Sequence, residues 1–408
     1  MVQSVLGSLT LGYRPIWNRA RTLAGVELFV QGDTAAMEAP LLLRTLQELW
    51  DHDSPPLLLS LQSPDLLANW LDSAPADSPW IAVRDDWLID PALVGKLRRA
   101  RARGLHLVWH GDLAHLPEPE LAGCFEKSLL SMQPEETMAA LQAAGAAKPS
   151  AQGAPQRPSP VIEGQIYEDL ASRALVEHCL DQKNAWGVIG WPADDVLYAY
   201  RHQPPQPAHS AIVRLMKAIE AEQPVETFET LLGADPLLAY RFLLFTNSAA
   251  LGLRAGVDSL RRGLMMVGYG TLRHWLGDQL PQASEDANLR PISVGMVLRG
   301  RLTEHLLEAG VEQDLRREVY LCGLFSQLGD LLCEPVGASL KRLPLSERIY
   351  DAIVLHAGPY APSLEMACAL ESANAPAIRK LCETHALGAD EVNRALLRML
   401  AGLSVTDL

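Results

Sequence analysis

The densest set of side chains able to do chemistry is His110-Gly-Asp112-Leu-Ala-His115, which puts three metal-ligating types within six residues directly after an apolar run that reads as a strand. Imidazole and carboxylate together suit a divalent transition metal. The same residues also describe a solvated polar loop, which is the expected reading. The cysteines, Cys124, Cys179, Cys322, Cys333, Cys368 and Cys382, form no Cys-x-x-Cys pair. Neither a zinc ribbon nor a disulfide framework follows, and inert thiols are expected. Gly268-Tyr-Gly270-Thr-Leu-Arg273 opens like a dinucleotide fingerprint, but it follows a helical pattern and ends on Arg, so it is read as a helix break. The basic run Lys96-Leu-Arg98-Arg99-Ala-Arg101-Ala-Arg103 could grip phosphates or could complement a helix C-terminus. The second is expected. A helix-turn-helix around Gly268 would offer only Arg273 and His274 as base readers.

The elements that must position such residues follow from length and composition. A chain of 408 residues, 48% hydrophobic and 21% charged, is long enough for two or three globular domains. Lys plus Arg number 35 against 49 for Asp plus Glu, a net charge of −14 that opposes a phosphate backbone, so nucleic acid is not an expected partner. No apolar run reaches the length of a membrane span, and MVQSVLGSLTLGYRPI lacks the basic flank of a secretion signal. The expectation is a cytoplasmic protein with no membrane partner.

Two breaks divide the chain. Residues 139–160 are mostly Ala, Pro, Gly and Ser and read as a flexible insert. Residues 201–210 carry Pro204, Pro205 and Pro207 and read as a linker between domains. Over residues 1–200, apolar runs alternate with helical ones (LTLGYRPI, PLLLRTLQELW, PPLLLSLQ, PDLLANWL, PWIAVR, LHLVWH), which predicts an α/β domain with a helix-covered parallel sheet. The clearest helix starts at an Asp90 cap with Pro91 at its first position and closes near Gly104, making Leu105 to Trp109 the next strand. Residues 211–408 read as an all-helical bundle: Asp235-Pro236 starts one helix, Asp258 another that Gly268 ends, and Gly270-Thr271 a third. Trp50, Trp70, Trp87, Trp109, Trp186 and Trp191 are expected in the core of the first half, or as exposed anchors of an interface.

The stretch Leu232 to Leu276 resembles the opening of an HDOD domain through Asp235-Pro236, Asn247-Ser248-Ala249, Val257-Asp258-Ser259 and Val267-Gly268. HDOD domains are similar to HD phosphohydrolases without the metal site. The His-Asp pair of such an enzyme would fall on Ser326-Gln327 here, neither a plausible ligand for that cation, while Asp330 reads as a solvent-facing helix residue and His356 is isolated.

The first half resembles, more loosely, an EAL domain, the cyclic di-GMP phosphodiesterase fold. Tyr13-Arg14-Pro15-Ile16 and Gly25-Val26-Glu27-Leu28 match the family's opening strands, Trp80 to Asp112 its next block, and Tyr167 to Trp191 its final one. The resemblance implies a TIM-type barrel and an acidic cluster holding two divalent metals that activate water. Vestigial positions Glu27 and Glu168 remain, but the other expected ligands fall on Ser60 or Gln62, on Ala82 or Val83, and on His110-Gly111. The short span between Asp112 and Ile162 predicts an eroded or incomplete barrel.

EAL-like and HDOD domains in this order resemble a group of bacterial signalling proteins. The resemblance therefore implies a non-catalytic signal-transduction scaffold or regulator, linked to cyclic di-GMP-dependent behaviour, with signalling proteins as partners and no cofactor or metal. The alternative is residual cyclic di-GMP binding or phosphodiesterase activity through Glu27 and Glu168.

Overall fold

The computed structural model describes residues 5–32, 35–146, 158–251, 256–307 and 312–403. The chain forms two compact units, Met1–Asp195 together with Ala369–Leu408, and Val196–Cys368.

The first unit is built on eight strands, β1 (Leu9–Trp17), β2 (Leu23–Gly32), β3 (Leu57–Leu61), β4 (Trp80–Arg84), β5 (Leu107–Asp112), β6 (Lys127–Ser131), β7 (Ile166–Glu168) and β8 (Gly187–Ile189), hydrogen-bonded in chain order. β1 runs antiparallel to both its neighbours, and β2 through β8 are mutually parallel. The ring is closed, which corrects the expectation of an eroded or incomplete barrel. The short span after β5 suffices because the crossover to β6 uses only the one-turn helix Pro119–Ala122. The opening β1–β2 hairpin needs no helix, and β7 and β8 are three residues each. Leu58, Ala82, Val108, Leu129, Ile166 and Ile189 fill the interior with Ile16, so the barrel is a packed core rather than a channel.

The local signals for this half act as read. Asp90 Oδ1 accepts the Ala92 amide at 2.9 Å to cap the helix Pro91–Ala102, and Gly104 takes the left-handed turn (φ 96°) that leads into β5. Three members of the basic run are engaged within the chain: Lys96 with Asp72, Arg101 with the Leu105 carbonyl and Arg103 with the Leu71 carbonyl. Part of the expected insert is ordered, since residues 139–146 lie in the helix Pro134–Ala146; residues 147–157 lie outside the described residues. Trp70 and Trp109 are fully buried, and Trp50, Trp87, Trp186 and Trp191 are half-buried, so none of the six is an exposed anchor.

The expected helical domain 211–408 is divided differently, because its last part belongs with the barrel. The buried Asn393 side chain donates to the Leu6 and Leu9 carbonyls at 2.7 and 2.8 Å and accepts from the Leu11 amide at 3.2 Å, tying the helix Ala389–Ala401 to the start of β1. Arg379 Nε adds a bond to Thr10 Oγ1 at 2.8 Å. Gly12 lies against the turn before these helices; a Cβ there would come within 2.0 Å of the Ser372 carbonyl oxygen.

In the second unit the described residues form helices and no named strand, with His209–Glu220, Val225–Gly233, Pro236–Thr246, Leu260–Gln279, Arg290–His305 and Gln313–Phe325 as the main elements. The proline-bearing stretch is bonded rather than a free spacer: Ser284 donates to the Pro207 carbonyl at 2.9 Å, and His209 to the Ser284 carbonyl at 2.9 Å. Edge-on packing of Phe242 against Trp275 and of Tyr240 against Phe325 marks its apolar interior. Among the described residues of both units, no helix is long and apolar enough to cross a membrane.

Candidate functional site at the barrel mouth

The polar residues of the barrel gather where the parallel strands end, the end at which such barrels carry their chemistry. Strand alternation turns Glu27 of β2 inward, where it is fully buried, and Ser60 of β3 donates to its Oε1 at 2.6 Å. Arg14 is the register partner of Glu27 across the hairpin, and its Nε donates to Glu27 Oε2 at 3.1 Å. The same guanidinium donates from Nη2 to Glu168 Oε2 at 2.9 Å and from Nη1 to Asp169 Oδ1 and Oδ2 at 3.1 and 3.3 Å. Its plane also lies over the Phe29 ring, 5.2 Å from the centroid. His110 Nε2 meets the other oxygen of Glu168 at 2.9 Å. One arginine and one histidine thus hold three carboxylates in a single network.

The electrostatics follow from burial and pairing. Burial pushes the Glu27 carboxyl above its ordinary value, and the Arg14 charge and the Ser60 bond only partly offset this. For Glu168 burial acts the same way, but the bond and charge of His110, with Arg14, outweigh it and hold the group below its ordinary value. Burial would lower His110, and its bond to Glu168 wins, so it titrates above the usual imidazole range. Arg14 is held more firmly protonated by its three carboxylates in spite of burial.

A cavity of about 300 Å³ opens above this network, lined by Arg14, Phe29, Ser60, Gln62, Arg84 and His110 and roofed by the turn Glu371-Ser372-Ala373. The structure brings Glu27 and Glu168 together through Arg14, and places Ser60 and His110 beside them, with Ala82 and Gln62 at the cavity wall. Val83 is fully buried. Two divalent cations would need the oxygens that the guanidinium already takes, and Ser60, Ala82 and His110 add no carboxylate to replace them. With Arg14 present, the residues do not fit a metal pair.

The loop reading of His110 to His115 needs correction, because β5 runs on to Asp112. His110 is committed to Glu168, while Asp112 accepts from Ser131 Oγ at 2.5 Å and from Gln133 Nε2 at 3.0 Å, bonds that lower its carboxyl. His115 is exposed, so the three do not converge. Among the described residues, the grouping close enough to share an ion is the exposed Asp51-His52-Asp53. Sequence reasoning did not single out Arg14, Asp169, Ser131 or Gln133 as site residues. The available signal was a charged residue inside the apolar strand LTLGYRPIW, facing a Glu across a hairpin.

In the second unit, Asp235 is buried and caps the helix Pro236–Thr246, its Oδ1 accepting from Leu238 N and its Oδ2 from Ala208 N, each at 2.9 Å. Asn247 ends that helix. Its amide group donates to the Leu243 and Val257 carbonyls at 2.8 and 2.9 Å and accepts from the Val257 amide at 2.8 Å, fixing the next segment. Ser259, rather than the expected Asp258, caps the following helix, accepting from Arg262 N at 3.3 Å. Gly268 breaks that helix with φ 70° and ψ 161°. Residues 205–337 match the HDOD domain family.

Within the HDOD domain, Ser326 closes the helix Gln313–Phe325, donating to the Gly323 carbonyl at 2.8 Å and accepting from Arg299 at 3.2 Å, and Gln327 follows it at the start of the helix Leu328–Leu332. Asp330 lies exposed in that short helix, and His356 is exposed in a left-handed turn. The chain is 24% identical over 165 residues to the uncharacterized protein YuxH of Bacillus subtilis, covering 39% of this chain and 40% of that protein. It is 22% identical over 194 residues to the cyclic di-GMP phosphodiesterase CdgJ of Vibrio cholerae, covering 47% of this chain and 44% of that protein. The chain thus spans less than half the length of these relatives. The crystal structure of the MmoQ response regulator from Methylococcus capsulatus is similar with a TM-score of 0.37 and 17% identity, over 48% of this chain and 98% of that one.

Proposed function

We propose that this chain is a non-catalytic signal-transduction protein linked to cyclic di-GMP-dependent behaviour, its HDOD domain an interaction module and its barrel a degenerate EAL-like platform. The HDOD match and the distant resemblance to a cyclic di-GMP phosphodiesterase support the signalling part. A closed barrel with an antiparallel first strand, with Glu27 inside β2 and Glu168 ending β7, supports the EAL-like, TIM-type reading. The observation that carries the non-catalytic part is the Arg14 guanidinium bonded to Glu27, Glu168 and Asp169. It leaves the barrel recognition surfaces rather than a reaction centre, and the protein acts by holding signalling partners.

The second reading, residual cyclic di-GMP binding or hydrolysis in the barrel, is favoured by the roughly 300 Å³ cavity over the same residues, with Arg84 and His110 on its wall. Calorimetric titration of the full chain with cyclic di-GMP, with and without Mn²⁺, separates the two. The proposed function expects no heat beyond dilution with or without Mn²⁺, and heat of binding that Mn²⁺ does not change supports the second reading in its binding form. Binding that requires Mn²⁺ and is lost in Glu27→Gln contradicts it.

A further inference from the structure

The metal pair implied by the EAL resemblance and the residues in the barrel disagree: expected carboxylates are absent, and Arg14 occupies the ones that remain. We propose that Arg14 is the barrel's resident cation: its guanidinium stands where a divalent ion would draw Glu27, Glu168 and Asp169 together, and removing its charge creates a divalent-cation site from residues already in place. This inference rests on the non-catalytic reading of the barrel.

The geometry supports the substitution of one cation for another. Arg14 Nη2 lies 3.1 Å from Glu27 Oε2 and 2.9 Å from Glu168 Oε2, so two carboxylates from different strands already converge on one positive centre. A divalent ion holds carboxylate oxygens at about 2.0–2.6 Å, so the same side chains would need to close by less than about 1 Å. Asp169 offers both oxygens to Nη1, as a bidentate ligand would. Glu27 is fixed by the Ser60 hydroxyl and Glu168 by His110, so neither depends on Arg14 alone for its orientation. Arg14 in turn is held by its register position opposite Glu27 and by the Phe29 ring. Repulsion between the guanidinium and an incoming ion keeps divalent cations out of the cluster.

Mn²⁺ binding to the full chain, followed by electron paramagnetic resonance, tests this in the native protein, Glu27→Gln, Arg14→Ala, Arg14→Gln, Arg14→Lys and the Arg14→Ala/Glu27→Gln double variant. The exposed Asp51-His52-Asp53 group can take up metal in every sample, so the informative signal is the part that Glu27→Gln removes. The expected result is no such signal in the native chain or Arg14→Lys. In Arg14→Ala, affinity should rise by roughly tenfold or more, with a melting temperature that Mn²⁺ raises. Arg14→Gln, which keeps hydrogen-bond donors without the charge, serves if the alanine variant does not fold. Folded variants that bind no more Mn²⁺ than the native chain overturn this inference and leave the non-catalytic reading standing. Native-chain binding that Glu27→Gln abolishes overturns both.

Discussion

Arg14 and Glu27 face each other as register partners in the β1–β2 ladder, and the arginine Nε donates to Glu27 Oε2 at 3.1 Å beneath a carboxylate that is fully buried. A cross-strand pair of opposite charge would add only a few tenths of a kcal/mol on a solvated sheet face. Inside a barrel the same pair decides whether a buried carboxylate is tolerated at all.

Replacing Arg14 by alanine is therefore expected to destabilise the protein by about 3 kcal/mol at neutral pH, because it strands a buried carboxylate. The loss should shrink at pH 5, since Glu27 already sits above its ordinary value and takes up a proton as pH falls. Urea unfolding at the two pH values checks this; equal losses would contradict it.

The His110–Glu168 bond gives a second pH signature. His110 is raised, so its contribution is complete below the ordinary imidazole value of about 6.5 and is lost as pH rises through the raised value. Glu168 is lowered, so its contribution is present above its ordinary 4.5 and is lost as pH falls through the lowered value. His110→Gln should cost about 1–2 kcal/mol near pH 5.5 and clearly less at pH 9. Melting curves of both proteins across that range measure it, and a pH-independent difference would show that the pair is not ionic.

Gly12 has no room for a side chain, whereas a Cβ on Gly123 would meet nothing within 4 Å. Gly12→Ala is expected to lose about 1–3 kcal/mol, and hydrogen exchange should rise over residues 371–385 as the turn at Ser372 is displaced. Gly123→Ala should stay within about 0.5 kcal/mol of the parent. Similar behaviour of the two variants would mean that the turn yields without cost.

In the HDOD domain, Asp235 satisfies two amides, Leu238 and Ala208, from a buried position. Asp235→Ala should cost about 2 kcal/mol, more than an exposed cap, because both donors are left unpaired away from water. Asp235→Asn, which keeps one accepting oxygen, should cost less. Chemical denaturation ranks the three proteins, and equal stability of Asp235→Ala and the parent would contradict the double role.

Legibility in the sequence tracks how local each determinant is. The cap at Asp90, the Asp235-Pro236 start and the Gly268 break are written in single residues whose backbone role is fixed by chemistry, and the structure places them as read. Barrel closure is not legible because the span from Asp112 to Ile162 is short for the two or more full βα units expected there, whereas a four-residue helix and three-residue strands close the ring. The return of the helices Ala375–His385 and Ala389–Ala401 to β1 was invisible, since it depends on Asn393 and Gly12 meeting partners more than three hundred residues away. In the candidate site Glu27 and Glu168 were found from the resemblance. Arg14 lies in the matching segment Tyr13 to Ile16, but its role is not legible there, because only the hairpin register shows that it faces Glu27.

The most direct test of the account is turnover: purified full chain incubated with cyclic di-GMP and millimolar Mn²⁺, with the linear dinucleotide product quantified by chromatography. A non-catalytic barrel gives no product above the buffer control. Product that accumulates with the native chain and disappears with Glu27→Gln would contradict that reading.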